Sequence, residues 1–177
     1  KPKRNIAFVA VTGEEKGLLG SKYYAMHPTV PSIIANINFD MYLPLHALKT
    51  VMVLGLDEST MRKPLDKVCA RLGLKVQPDV EPQRNRFIRS DQYSVIQQGV
   101  AALALKFGYE LNTPEHELQK QWVAKRYHAP SDDLTQTVDK EAAAQFNHLI
   151  EELALQVANQ SERPRWNDTS FFKRFAK

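Results

Sequence analysis

Apolar positions in this chain fall in short continuous runs, separated by polar stretches marked with glycine and proline. Residues 5–11, 32–39, 50–54 and 101–107 each read as a buried strand, and 74–77 as a weaker one. The first of these is the run Ile6-Ala7-Phe8-Val9-Ala10-Val11. Helical patterns lie between them. A short helix is predicted over 18–26, stopped before Pro28. A second covers 57–72 with Ser59 as its cap, and a third covers 90–98, capped by Ser90 and ended by Gly99. Residues 140–160 predict a long terminal helix, because Ala143, Phe146, Leu149, Ile150, Leu153 and Val157 recur at spacings of three and four. That stripe belongs to the core. Residues 78–86 and 112–120 read as charged, proline-containing loops. Strands alternating with helices imply α/β layers with helices on both faces of the sheet.

Composition narrows the class. At 177 residues and 43% hydrophobic, the chain can bury the core of one domain and is not a disordered polymer. The net charge of +4 is mild, and the basic residues are dispersed except at the two ends, which read as solvated tails. No basic stripe interleaved with aromatics is present, which argues against nucleic-acid binding. No run of 18 apolar residues predicts a membrane-spanning helix. The single cysteine, Cys69, rules out an internal disulfide and, beside Leu65, Val68 and Leu72, reads as a small core residue. The chain opens on Lys1 and enters a core-like run within a few residues, so a processed or excised piece of a longer protein is expected.

The candidate chemistry sits where the apolar runs end. Glu14 and Glu15 follow the first run, within Thr12-Gly13-Glu14-Glu15-Lys16-Gly17. Adjacent carboxylates at a strand's end can diverge, one holding a metal while the other takes a proton from water. The same pair also reads as an acidic first turn favouring the helix dipole. Asp40 closes the run at 33–39, and His128 lies in a polar, proline-marked loop over 126–133. A Glu, an Asp and a His, each at the end of a predicted element, form a ligand set that zinc accepts. Their wide separations do not resemble a zinc finger and suit a site assembled at the carboxyl ends of strands. His27, His46, His116 and His148 read as structural or surface residues; Lys120 stands where a zinc-protease helix would need a second histidine after His116.

Four segments, AVTGEEKGLLGS, NINFDM, RSDQYSV and YHAPSDDL, occur in the order found in the di-zinc aminopeptidases of clan MH, peptidase family M28. The chain resembles that family over essentially its whole length. The resemblance implies a three-layer α/β/α sandwich with a mostly parallel or mixed central sheet that lacks its N-terminal strands. On it, residues 1–162 are the C-terminal part of a zinc peptidase catalytic domain, and 163–177 a basic and aromatic tail that packs back or serves as a contact segment. It implies that Glu14 is the general base, that Glu15 and His128 bind one zinc, and that Asp40 binds the other. Tyr127 matches a position that polarises the scissile carbonyl in some relatives. Asp132 is implied as the partner that orients His128, and Asp91 and Tyr93 as part of a substrate-facing loop. The family pattern also has a His-x-Asp segment upstream of Glu14. Only 13 residues precede Glu14, and none is His or Asp.

The function so implied is removal of N-terminal residues from peptides, with two zincs in an intact catalytic domain. In this chain, at most one zinc and no activity alone are expected. Alternatives are a non-catalytic protein-interaction domain of the same fold, and a carboxypeptidase or glutaminyl cyclase relative. The resemblance alone favours a periplasmic or secreted location. An incomplete sheet edge is expected to promote self-association.

Overall fold

The computed structural model describes residues 1–176. Its centre is β4 (Ala101–Phe107), buried at every position except Lys106. β4 pairs in parallel with β1 (Ala35–Asn38), Asn38 standing opposite Ala104. On its other side it pairs antiparallel with β2 (Thr50–Leu54), Val51 standing opposite Phe107. β3 (Lys75–Pro78) adds in parallel to β2, giving a mixed sheet of order β1-β4-β2-β3. β2 and β4 read as unbroken apolar runs because both faces of the sheet are covered there.

Alternation along the strands divides the core. Val51, Val53, Leu103 and Leu105 join Leu65, Val68 and Cys69 of α2 (Arg62–Arg71) and Phe146, Leu149 and Leu153 of α5 (Lys140–Asn159) in the main cluster. Tyr42 and Phe107 stack on Phe146, with ring centroids 4.8 and 5.3 Å away. α1 (Leu19–Met26) packs on α3 (Gln92–Ile96), where Ala25, Val95 and Val100 form a smaller cluster against Ile33. Helices therefore flank the sheet, and the molecule is a three-layer α/β/α sandwich. Among the described residues no helix is long and apolar enough to cross a membrane.

Three expectations change. Residues 5–11 form no strand: all seven are exposed, Phe8 at 90%, and none of their backbone groups makes a hydrogen bond among the described residues. The run has the composition of a doubly covered strand but no neighbour to pair with. Residues 114–125 form a helix, α4 (Pro114–Lys125), where a loop was predicted over 112–120. Thr113 caps it, accepting from His116 N, and Pro114 takes the first turn. No residue of α4 is buried, so it carries no apolar stripe for periodicity to reveal. Neither predicted serine cap forms: Ser90 does not cap α3 with its side chain, and α2 begins at Arg62 with no side-chain cap, Ser59 Oγ accepting from Met61 N at 3.3 Å just before it.

The tail packs back on the domain. Trp166 and Phe172 are buried in the main cluster, and Trp166 Nε1 donates to Gly99 O at 3.2 Å. Lys177, the last residue of the predicted tail, lies outside the described residues. At the other end, the Arg4 guanidinium donates to Gln160 O at 2.5 Å and Ser161 O at 3.1 Å just beyond α5.

Cys69 is 1% exposed, and burial pushes its thiol up to about 11. At pH 8 about one thiol in a thousand is then ionised. A thiol-exchange reagent at that pH is expected to label Cys69 only as fast as the chain unfolds, and promptly in urea. Prompt labelling of the folded chain would contradict this packing.

Candidate active site

β1 ends at Asn38, and Asp40 follows two residues later on a turn whose next residue, Met41, has a φ of 50°. That left-handed conformation is strained for a side chain larger than glycine. The turn is held from the neighbouring strand. The parallel register sets Asn38 opposite Ala104, so Lys106 reaches the turn, where Nζ donates to Asp40 O at 2.8 Å and Met41 O at 3.5 Å. Burial lowers the Lys106 pKa, and the nearby Asp40 carboxylate partly offsets this. Ser90 Oγ donates to Asp40 Oδ2 at 3.2 Å, and Asn38 Nδ2 donates to Gln92 Oε1 at 2.6 Å. The residue that looked like a helix cap therefore binds the site carboxylate instead.

Glu14 and Glu15 stand on a tight turn leading into α1. Glu14 O accepts from Gly17 N at 3.0 Å and Leu18 N at 2.9 Å, while Gly13 O accepts from Leu19 N at 3.1 Å. Gly13 has a φ of 69°, which suits only glycine without strain. At Gly20 a Cβ would lie 2.5 Å from Thr12 O, so only glycine lets α1 approach this closely. The acidic pair thus precedes the helix by several residues. No side chain caps α1: Leu18 occupies the cap position, and no acidic residue lies in the first turn of α1. The dipole reading of the pair has no support in this geometry.

His128 comes from the loop after α4 and also has a positive φ, 56°. Its Nε2 lies 2.5 Å from Glu15 Oε1, a contact across 113 positions of sequence. The Tyr127 ring stacks on the His128 ring with centroids 3.8 Å apart. Glu14 feels the whole group: its pKa is raised by burial first, then by Glu15, Asp40 and Asp91, with His128 acting in the opposite sense. The Tyr127 pKa is raised by burial and then by Glu15, Glu14 and Asp40, while Arg89 opposes. The structure therefore brings Glu14, Glu15, Asp40, Tyr127 and His128 to one end of the sheet.

The remaining predicted residues divide. Asp91 lines the same groove, and its buried Oδ1 has no hydrogen-bond partner among the described residues. Tyr93 packs against the core and does not line the groove. Asp91 has helical backbone angles (φ −55°, ψ −28°) just before α3, and residues two apart on a helix differ by about 200° in direction, which turns Tyr93 away from the groove. Asp132 makes no hydrogen bond to His128 among the described residues. Its Oδ1 accepts from Gln136 Nε2 at 2.6 Å, and Gln136 Oε1 in turn accepts from Trp122 Nε1 at 2.7 Å. This chain ties the loop to α4 and draws the carboxylate away from the imidazole.

Glu15 and His128 have the donor chemistry zinc takes, a carboxylate and an imidazole in contact. They are two donors. Among the described residues, no group of three or more His, Cys, Asp or Glu side chains could hold a metal ion. The pair fits zinc in kind and falls short of a tetrahedral set in number. Sequence reading passed over Lys106 because a lysine inside an apolar strand carries no motif; its isolation in the run Ala101-Ala102-Leu103-Ala104-Leu105-Lys106-Phe107 was the available signal.

The family model for Peptidase family M28 matches residues 1–154. Among solved structures, the aminopeptidase from Aneurinibacillus sp. strain AM-1 is similar, with a TM-score of 0.55 and 21% identity over 86% of this chain. The match covers 33% of that protein, so this chain spans about a third of its length. At that identity the likeness concerns the fold. No curated protein sequence matches.

Replacing Lys106 should loosen the Asp40 turn. Lys106→Met is expected to leave β4 folded and to speed amide exchange at Phe107, whose N–H donates to Tyr42 O at 3.3 Å beside the turn, about tenfold or more, since a hydrogen bond from a charged donor is worth about 1.5–3 kcal/mol. Unchanged exchange at Phe107 would show that the turn is held without Lys106.

Proposed function

The chain belongs to Peptidase family M28, and from that premise we propose that it is part of a zinc-dependent exopeptidase, an aminopeptidase that removes N-terminal residues from peptides. The observation that carries the reading is the contact between His128 Nε2 and Glu15 Oε1, at 2.5 Å, beside a Glu14 whose pKa is raised. A structural ion pair alone would not need a third and a fourth carboxylate crowded against it. That crowding disfavours ionisation and persists where a cation is to be bound.

In this proposal Glu15 and His128 hold one zinc and Asp40 the other, two in an intact catalytic domain and at most one in the chain of 177 residues. Zinc, when bound, supplies Lewis acidity toward water and the scissile carbonyl. Glu14 accepts the proton of the attacking water at its free carboxylate oxygen and returns it to the leaving amine. A carboxylate with a raised pKa is the better base for that task near neutral pH. Tyr127, kept protonated by burial and by the neighbouring carboxylates, donates a hydrogen bond to the scissile carbonyl oxygen. Ser90 and Lys106 orient Asp40, one through its carboxylate and the other through its backbone. With two donors at one zinc and one at the other, the chain by itself does not hydrolyse peptides in this proposal.

The roles separate by mutation in a polypeptide that carries this chain within a complete catalytic domain. Glu14→Gln should keep zinc content and lower turnover of an aminoacyl-anilide at least a hundredfold, because an amide cannot accept the proton. Glu15→Ala and His128→Ala should lower zinc content, measured by elemental analysis after dialysis. Full activity in Glu14→Gln, or full zinc content in both alanine variants, would sink these assignments.

A further inference from the structure

The lysine and arginine side chains lining the groove at the candidate site are Arg4, Arg84, Arg86, Arg89, Lys106 and Lys120. All but Arg89 are engaged. Arg4 donates to Gln160 O and Ser161 O, and Lys106 to Asp40 O. Arg84 pairs with Glu81 at 3.2 Å, Lys120 with Glu117 at 3.0 Å, and Arg86 with both Asp79 and Glu81. The Arg89 guanidinium makes no hydrogen bond or ion pair among the described residues, and the residue is exposed. The acids of its own loop, Asp79 and Glu81, are taken by Arg84 and Arg86.

The backbone at Arg89 is fixed even so. It follows a 3₁₀ turn at Arg86–Ile88, and Arg89 N donates to Arg86 O at 3.2 Å. Arg86 is itself gripped by Asp79, and both side chains are largely buried. On the other side comes Ser90. Its hydroxyl donates to Asp40 Oδ2 at 3.2 Å, and its carbonyl accepts from Tyr93 N at 2.9 Å. A paired arginine and a residue bound to the site carboxylate therefore clamp position 89 from both sides, and the unpaired guanidinium is delivered to the groove. Its charge is felt at Tyr127, where it opposes the site carboxylates. A guanidinium presents a planar fork of donors that matches the two oxygens of a carboxylate.

We infer, on the peptidase reading of this site, that Arg89 receives a carboxylate on the part of the peptide that is released from the N-terminal residue, either its main-chain terminus or an acidic side chain, and so selects short or acidic peptides. Charge places the acid on the released part. Glu14, Glu15, Asp40 and Asp91 gather at the site and suit the ammonium of the N-terminal residue. An acidic side chain on that same residue would meet their repulsion. The released part carries no ammonium, and Arg89 is the cation left unpaired for it.

A complete catalytic domain that carries this chain tests the assignment with leucyl-alanine, leucyl-alaninamide, leucyl-aspartic acid α-amide and glutamyl-alaninamide. At low salt, kcat/KM for leucyl-alanine or for leucyl-aspartic acid α-amide is expected to exceed that for leucyl-alaninamide by about fivefold or more. The first preference identifies the main-chain terminus, the second the side chain. Arg89→Gln should collapse the ratio toward one, Arg89→Lys should restore part of it, and raising salt from about 20 mM to about 500 mM should narrow it. In a Glu14→Gln background, calorimetry of the same peptides reads the same ratio in Kd without turnover. No preference in the wild type, or a preference that survives Arg89→Gln, overturns the role of Arg89. A preference for glutamyl-alaninamide that Arg89→Gln abolishes overturns the placement on the released part. A domain that binds with the Arg89-dependent preference and hydrolyses none of these peptides keeps the carboxylate receptor and defeats the peptidase reading; one that hydrolyses them without preference does the reverse.

Discussion

Strand β4 is the constraint on which the rest depends. It joins β1, in parallel, to β2, antiparallel, and so holds the two halves of the sheet together. Its odd positions, Leu103 and Leu105, support α2 and α5, while Lys106 faces the other way, toward the Asp40 turn. Burial of an apolar strand fixes register strongly, because a slip of one residue would exchange its two faces. Here a slip would put the Lys106 ammonium into the cluster around Phe146 and remove the donor that holds Asp40 O and Met41 O. Core packing and site geometry are set by the same register.

The site gathers more negative charge than its local cations offset. Glu15, Asp40 and Asp91 raise the pKa of Glu14 and His128 opposes them there, while Arg89 opposes the neighbouring carboxylates at Tyr127. Backbone strain is present beside it, at Leu18, Met41 and His128, three of the six non-glycine residues with positive φ among the described residues. Such strain costs on the order of 1–3 kcal/mol per residue and persists where the surroundings over-determine the conformation. At Met41 Lys106 is the restraining group, and beside Leu18 it is the turn that Gly13 and Gly20 permit. The loop over 78–86 is fixed in a comparable way, with Arg86 pairing with Asp79 and Glu81; burial opposes its charge, and Asp79 and Tyr109 outweigh that.

The elements legible in the sequence were those whose side chains report their surroundings. The stripe of α5 and the apolar runs of β2 and β4 placed themselves, as did Cys69 in the α2 pattern, because burial selects their residues directly. The acidic pair, Asp40 and His128 were legible as motif residues at the ends of runs. α4 was not, because its stability comes from the Thr113 cap, Pro114 at its start and the stacking of His116 on Tyr109, with centroids 5.2 Å apart, and none of these repeats along the helix. Tyr93 was read with Asp91 because their segment resembles a substrate-facing loop of the family, and the two side chains part company at the start of α3.

The sequence by itself determined the α/β class, the core stripes and the identity of the acidic and imidazole groups, since each depends on composition and local period. Only the tertiary structure decided that His128 meets Glu15, that Ser90 and Lys106 serve Asp40, and that Asp132 turns to Gln136. These are contacts between residues far apart in the chain or set by side-chain direction, and no local pattern encodes them. The clearest division is at residues 5–11. Their composition specifies a strand, but pairing is a property of two segments, and the described residues supply no partner within hydrogen-bonding reach.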